Sequence, residues 1–172
     1  MDTTQTVTLT AEPLTDETFL PFGSLPAEEG TEWDRADVHF EWNDGHVNLI
    51  GHTADEVEVG EIGLRCELLN RHDTHTQTLM PLDVPAIIVV APAGVDFSDP
   101  AHLDQVRAFR LEPLDAVHLW VGTWHWGPYP ADGPAVRLFN VQGSGYARDN
   151  GIAWLTRDHG VVFEVDARNP AQ

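Results

Sequence analysis

Between Asn70 and Pro81 the chain reads NRHDTHTQTLMP, two histidines and a glutamine in a segment flanked by strongly apolar runs. Residues two apart on a strand face the same way, so His75, Gln77 and Leu79 share one side and Thr74, Thr76 and Thr78 take the other. A second stretch, AVHLWVGTWHWGPYP, holds His118 and then His125 in a Gly-x-x-His pattern that starts at Gly122, with Trp124 and Trp126 on either side. Imidazole titrates near neutrality and can take or give a proton. Neutral imidazole and amide oxygen also ligate divalent Ni, Fe, Mn, Co or Zn. A bare His-x-Gln on a half-buried strand is more often a satisfied polar pair than a metal site. The second motif supplies a partner across a barrel, so one divalent metal on His75, Gln77 and His125 stands beside that plainer reading.

The elements that must position these residues are short. Runs rich in Val, Ile, Leu and aromatics recur between Gly, Pro, Asp and Asn: VHFEW, HVNLIGHT, IGLRCELL, THTQTLMP, AIIVVAP, QVRAFRL, AVHLWVG, AVRLFNV, GIAWL and VVFEV. That spacing predicts an all-β sandwich or barrel whose closure hides the strand edges. One short helix is expected near the N-terminus, where Thr15 precedes Asp16 and Glu17 as an N-cap with an acidic first turn. The stretch AGVDFSDPAHLD reads as the main irregular loop. In AVRLFNV, Val136, Leu138 and Asn140 oppose Ala135, Arg137, Phe139 and Val141, so Arg137 either lies on the surface or aims into a ligand cavity. No repeat, low-complexity tract or linker interrupts residues 1–172, and one domain is expected.

Composition limits the function classes. Acidic residues outnumber arginine and lysine by 28 to 9, a formal charge of −19, and all nine cations are arginine. Such a field repels phosphate backbones and anionic lipid, so neither nucleic acid nor a membrane surface is expected as a partner. Adaptation to high salt is one account of the acidity and an ordinary acidic protein is the other. An anionic substrate would need a local cation or a metal to offset the field. With 42% apolar residues the chain has the means for a core, and its start lacks the basic flank and apolar centre of a signal peptide. A cytoplasmic protein is therefore expected. Cys66, the single cysteine, reads as a buried inert thiol within IGLRCELL.

In an all-β chain, His75-x-Gln77 followed by Gly122-x-x-His125 resembles the paired motifs of the cupins, and a closer likeness covers most of the chain from Leu14 to Val141. The Arg71-His72 pair, Gln77 five residues after that histidine, LMP, the strand AIIVVAP, Arg107-Ala108-Phe109, Val117, Trp124-His125 and the opening LTDETFLPFG together resemble the ureidoglycolate lyase family, a branch of the cupins. His75 stands where the family has Gly, Leu119-Trp120-Val121 where it has Tyr-His-Arg, and Trp126 where it has a second His.

The resemblance implies a cupin-type double-stranded β-helix (a jelly-roll barrel), a homodimer, association of some members with nickel, and cleavage of ureidoglycolate into glyoxylate and urea. On that footing a metal on His75, Gln77 and His125 would act as a Lewis acid, His118 or His72 as the mobile base, and Arg71 or Arg137 as the clamp on a small anionic substrate. Other lyase or isomerase chemistry on a small hydroxy or oxo acid would suit the same scaffold. So would a non-catalytic module with Trp120, Trp124 and Trp126 as an aromatic wall for a sugar-like ligand.

Overall fold

The structure, a computed structural model, describes residues 4–168. In chain order its elements are β1 (Gln5–Thr10), α1 (Asp16–Phe19), β2 (Gly23–Ser24), β3 (Gly45–Thr53), β4 (Leu64–Cys66), β5 (Leu68–Arg71), β6 (Gln77–Pro81), β7 (Ala86–Ala91), β8 (Arg107–Leu111), β9 (Val117–Leu119), β10 (Trp124–Pro130), β11 (Ala135–Gly143), β12 (Gly151–Trp154), α2 (Leu155–His159) and β13 (Val161–Asp166). Short 3-10 turns join several of them, one of which, Pro100–Gln105, occupies the expected irregular loop.

Two five-stranded antiparallel sheets carry the fold, ordered β12-β5-β10-β7-β8 and β2-β9-β6-β11-β3. A third sheet, β1-β13-β4, pairs its first two strands in parallel. The all-β expectation of cupin type is met, with two large sheets that share a core.

Strand β7 shows why the layers form. Its six residues AIIVVA are all buried, because the strand is covered on both sides. Ala86, Ile88 and Val90 join Leu79, Phe109, Val117, Val136 and Leu138 in the core between the two large sheets. Ile87, Val89 and Ala91 join Leu69, Trp124, Trp126, Phe163 and Val165 in a second core beneath the small sheet. The N-terminal helix is capped as expected, with the Thr15 hydroxyl accepting from the Thr18 amide at 3.2 Å. It delivers Phe19 against Phe109 with ring centroids 5.2 Å apart.

Two details differ from the pattern of the sequence. VHFEW forms only an isolated bridge between Phe40 and His75. Its backbone instead straps the histidine segment: Glu41 N donates to Thr74 O at 2.8 Å and Thr76 N to His39 O at 3.0 Å. Strand β1 was not among the expected runs, because its residues QTVTLT supply only two apolar side chains, Val7 and Leu9, which pack on the second core.

Candidate active site

Where the core between the large sheets gives out, a cavity of about 320 Å³ remains, lined by Ile50, His52, Asn70, His72, Gln77, His125, Gly127, Tyr129, Gln142, Tyr146 and Asn150. Five strands supply its wall. Ile50 and His52 come from β3, Asn70 from β5, Gln77 from β6, His125 and Tyr129 from β10, and Gln142 from β11. Alternation decides which residues enter: His125 turns inward while its neighbours Trp124 and Trp126 turn to the second core.

The two histidine motifs are joined by the backbone. Gly122 N donates to the His72 carbonyl at 2.7 Å. Gly122 has φ +80°, a left-handed conformation that favours glycine. His72 and His75 stack with ring centroids 4.6 Å apart, and His72 lies 5.2 Å from His125. Each ring commits its Nδ1 to a backbone carbonyl: His72 to Asp149 at 2.6 Å, His75 to Thr76 at 3.1 Å and His125 to Thr123 at 3.1 Å. A carbonyl only accepts, so these Nδ1 atoms carry the protons and the Nε2 atoms are turned elsewhere. His75 Nε2 is buried without a partner, as is Gln77 Oε1.

Burial sets the charge state of two of the rings. It pushes the His72 imidazole below its usual value, against the opposing hydrogen bond to the Asp149 carbonyl. It holds His125 down to about 4, with His72 nearby adding to the effect. Both are neutral imidazoles at neutral pH.

Asp149 arranges the segment. Its carboxylate accepts from Asp73 N at 2.9 Å, Thr74 N at 2.7 Å and the Thr74 hydroxyl at 2.5 Å. Burial alone would raise this carboxyl, but those hydrogen bonds hold it below the usual range.

His72, His75 and Asp149 offer ligand atoms within 4.8 Å of one another, a group able to hold a metal ion. The Asp149 oxygens are already engaged by three donors, whereas the three imidazoles present ring nitrogens whose partner nitrogen is fixed to a carbonyl, the usual state of a metal-binding histidine. The donor set therefore fits a divalent cation: the side chains whose ligand atoms converge are His72, His75 and Asp149, and His125 stands beside them with its ring 5.2 Å from that of His72. His72 and His75 stack at only 22°, so their in-plane lone pairs run side by side and sharing one ion requires a ring to turn.

Several expected residues lie elsewhere. His118 faces away from the cavity, since β9 pairs it with Thr78 on the outer face of β6. Its Nδ1 meets the Thr78 hydroxyl at 2.8 Å and its Nε2 the Asp37 carbonyl at 3.1 Å, so both nitrogens are spent and it is no mobile base. Arg71 follows the cavity residue Asn70 and so points to the other face. Its guanidinium lies 4.9 Å over the Trp124 ring and bonds Asp73 at 3.1 Å. Arg137 is surface, 68% exposed and bonded to Asp83 at 3.1 Å. Neither arginine lines the cavity as a clamp. The aromatic wall is absent too: Trp124 and Trp126 are core, and Trp120 donates from its indole to Leu20 O at 3.2 Å.

Sequence reasoning missed Asn70, Gln142, Tyr146, Asp149 and Asn150. Gln142 alone had a local signal, as the next inward position after Val136, Leu138 and Asn140. The others arrive from a turn far along the chain or from a strand whose inward side only the pairing reveals.

The profile of one family, described as Ureidoglycolate lyase, matches residues 32–155. Among relatives, the ureidoglycolate lyase of Stutzerimonas stutzeri strain A1501 is 34% identical over 135 residues, which cover 69% of this chain and 73% of that protein. That of Pseudomonas entomophila strain L48 is 33% identical over 134 residues, covering 69% and 74%. That of Pseudomonas putida strain W619 is 33% identical over 135 residues, covering 69% and 74%.

Proposed function

The chain belongs to the ureidoglycolate lyase family, and from that premise we propose that it is a lyase that splits ureidoglycolate into glyoxylate and urea, with His72 carrying the proton. The observation behind this reading is the trio of neighbouring imidazoles whose Nδ1 atoms are all held by backbone carbonyls; two of the three, His72 and His125, line one cavity. Ureidoglycolate is a carbinolamine. Its cleavage removes the hydroxyl proton, forms the carbonyl of glyoxylate, breaks the carbon–nitrogen bond and protonates the departing nitrogen.

His72 Nε2 takes the hydroxyl proton and returns it to the nitrogen, so the residue ends as it began. Of the two lowered histidines it is the better base. Both rings have an imidazole beside them and a carbonyl on Nδ1, but only His72 also has carboxylates, those of Asp149 and Asp73, that favour its charged form. Asp149, by fixing Asp73 and Thr74, holds His72 against the cavity.

No arginine lines the cavity among the described residues. A divalent cation on His75 and His125 would supply the missing positive charge, polarising the hydroxyl and holding the carboxylate while His72 Nε2 stays free for the proton. His125 stays neutral to keep a lone pair available, and the strap formed by residues 39–41 closes the segment that carries His75.

The test is release of glyoxylate and urea from ureidoglycolate by the purified protein, with and without added divalent metal. His72→Ala is expected to lower kcat by roughly 10²- to 10⁴-fold, the usual range for a lost general base. Wild-type protein that forms no glyoxylate with any of Ni, Zn, Fe or Mn would overturn the reading. So would full turnover by His72→Ala.

A further inference from the structure

Below the histidines lies a chain of amides with one loose end. Gln77 Nε2 donates to Asn140 Oδ1 at 2.9 Å and to Gln142 Oε1 at 3.0 Å, and Asn140 Nδ2 donates to Asn48 Oδ1 at 2.8 Å. Both protons on Gln77 Nε2 are spent, which fixes the orientation of that amide. Its Oε1 is buried and has no partner, in a residue only 7% exposed that forms part of the cavity wall. In the adjoining Gln142 the oxygen accepts from Gln77, so the end left for the cavity is its NH₂.

The two wall residues therefore leave an acceptor and a donor unspent, both neutral. A ureido group is their complement: its terminal N–H₂ donates and its carbonyl accepts. A cation is not, because the Gln142 NH₂ turns the positive end of its dipole to the same place. We infer that Gln77 and Gln142 bind the ureido end of the substrate, with the terminal NH₂ donating to Gln77 Oε1 and the carbonyl accepting from Gln142 Nε2. Gln77 is then a specificity residue for that group rather than the metal ligand its His-x-Gln spacing suggests. The assignment rests on the lyase reading for its substrate, and it turns the other end of the molecule, hydroxyl and carboxylate, toward His72 and His125.

The probes are N-carbamoylglycine, which keeps the ureido group and lacks the hydroxyl, and N-acetylglycine, in which a methyl group replaces the terminal NH₂. Their binding to the purified protein is measured by calorimetry, beside the glyoxylate assay. Wild type is expected to bind N-carbamoylglycine at least about tenfold more tightly, since a site built to pair an N–H rejects an analogue without one. Gln77→Met should bring the two ligands to within about twofold of each other, whereas Gln142→Leu should weaken both alike by about tenfold, because both keep the carbonyl.

Equal or no binding of the two ligands by wild type overturns the inference, as does a preference that survives in a folded Gln77→Met. If that variant does not fold, unequal weakening by Gln142→Leu serves as the refuting result. Preference without turnover of ureidoglycolate would sink the lyase reading and support this one. Turnover without preference would do the reverse.

Discussion

His125 shows how one side chain's surroundings become a pH dependence of the whole fold. Burial first, then the nearby His72, hold its pKa down to about 4, with the Thr123 carbonyl opposing them. In the unfolded chain a histidine titrates near the ordinary value of about 6.5. Between those values the unfolded state binds a proton that the folded state refuses, so the stabilising contribution is complete above pH 6.5 and is lost as pH falls toward 4. The full loss is on the order of 3 kcal/mol. Protonation of surface carboxylates relieves self-repulsion over part of the same range and pulls the other way, so the quantity to measure is a difference. In urea denaturation with chelator present, wild type should lose more stability from pH 7 to pH 4.5 than His125→Gln does. Parallel pH profiles would show that the ring is not held neutral. Cys66 is a simpler case at this scale: it is fully buried as its apolar setting suggests, and burial pushes its thiol up, away from nucleophilic use.

At the scale of elements, the site depends on a segment with little regular structure of its own. Residues 72–76 lie between β5 and β6 and are held from three directions, by Gly122 N on the His72 carbonyl, by the strap at residues 39–41, and by Asp149. Asp149→Ala removes three hydrogen bonds to a carboxylate and should cost about 2 kcal/mol of stability. Because the same loss frees His72, kcat should fall more than KM rises. An unchanged melting temperature and unchanged turnover would show that the carboxylate is not the clamp.

The sequence disclosed part of this arrangement. Alternation placed His75, Gln77 and Leu79 together, and all three are buried. The same rule, applied one residue on, puts Thr78 outside, and only the β6–β9 register shows that His118 sits opposite it and is therefore outside too. Arg71 is lost to the site for the same reason, one position from Asn70. Asp149 left no local trace, because its three donors lie more than seventy residues earlier in the chain. The small third sheet was obscured in the same way: β1 finds its partner in β13, at the far end of the described chain.

At the scale of the molecule, the question is where the surplus negative charge goes. Seven of the nine arginines already pair with carboxylates, among them Arg110 with Glu112 and Asp132 and Arg107 with Glu12. The remaining two, Arg35 and Arg148, lie over Trp33 and Trp42. With 28 acids against nine cations, most carboxylates have no cation within the chain to meet, and only dissolved ions can screen them. The same field works against an anionic substrate, which gives a neutral, amide-lined cavity with imidazole ligands more to do than a surface arginine could. Raising salt from about 0.1 M to about 1 M shortens the screening length from about 10 Å to about 3 Å. If self-repulsion is the dominant cost of the acidity, the melting temperature should rise over that range, by about 2–4 °C for each kcal/mol of relief. Thermal scans in sodium chloride decide it. A melting temperature that falls with salt would mean that the exposed arginine pairs, which salt weakens, matter more to this fold than repulsion among its carboxylates.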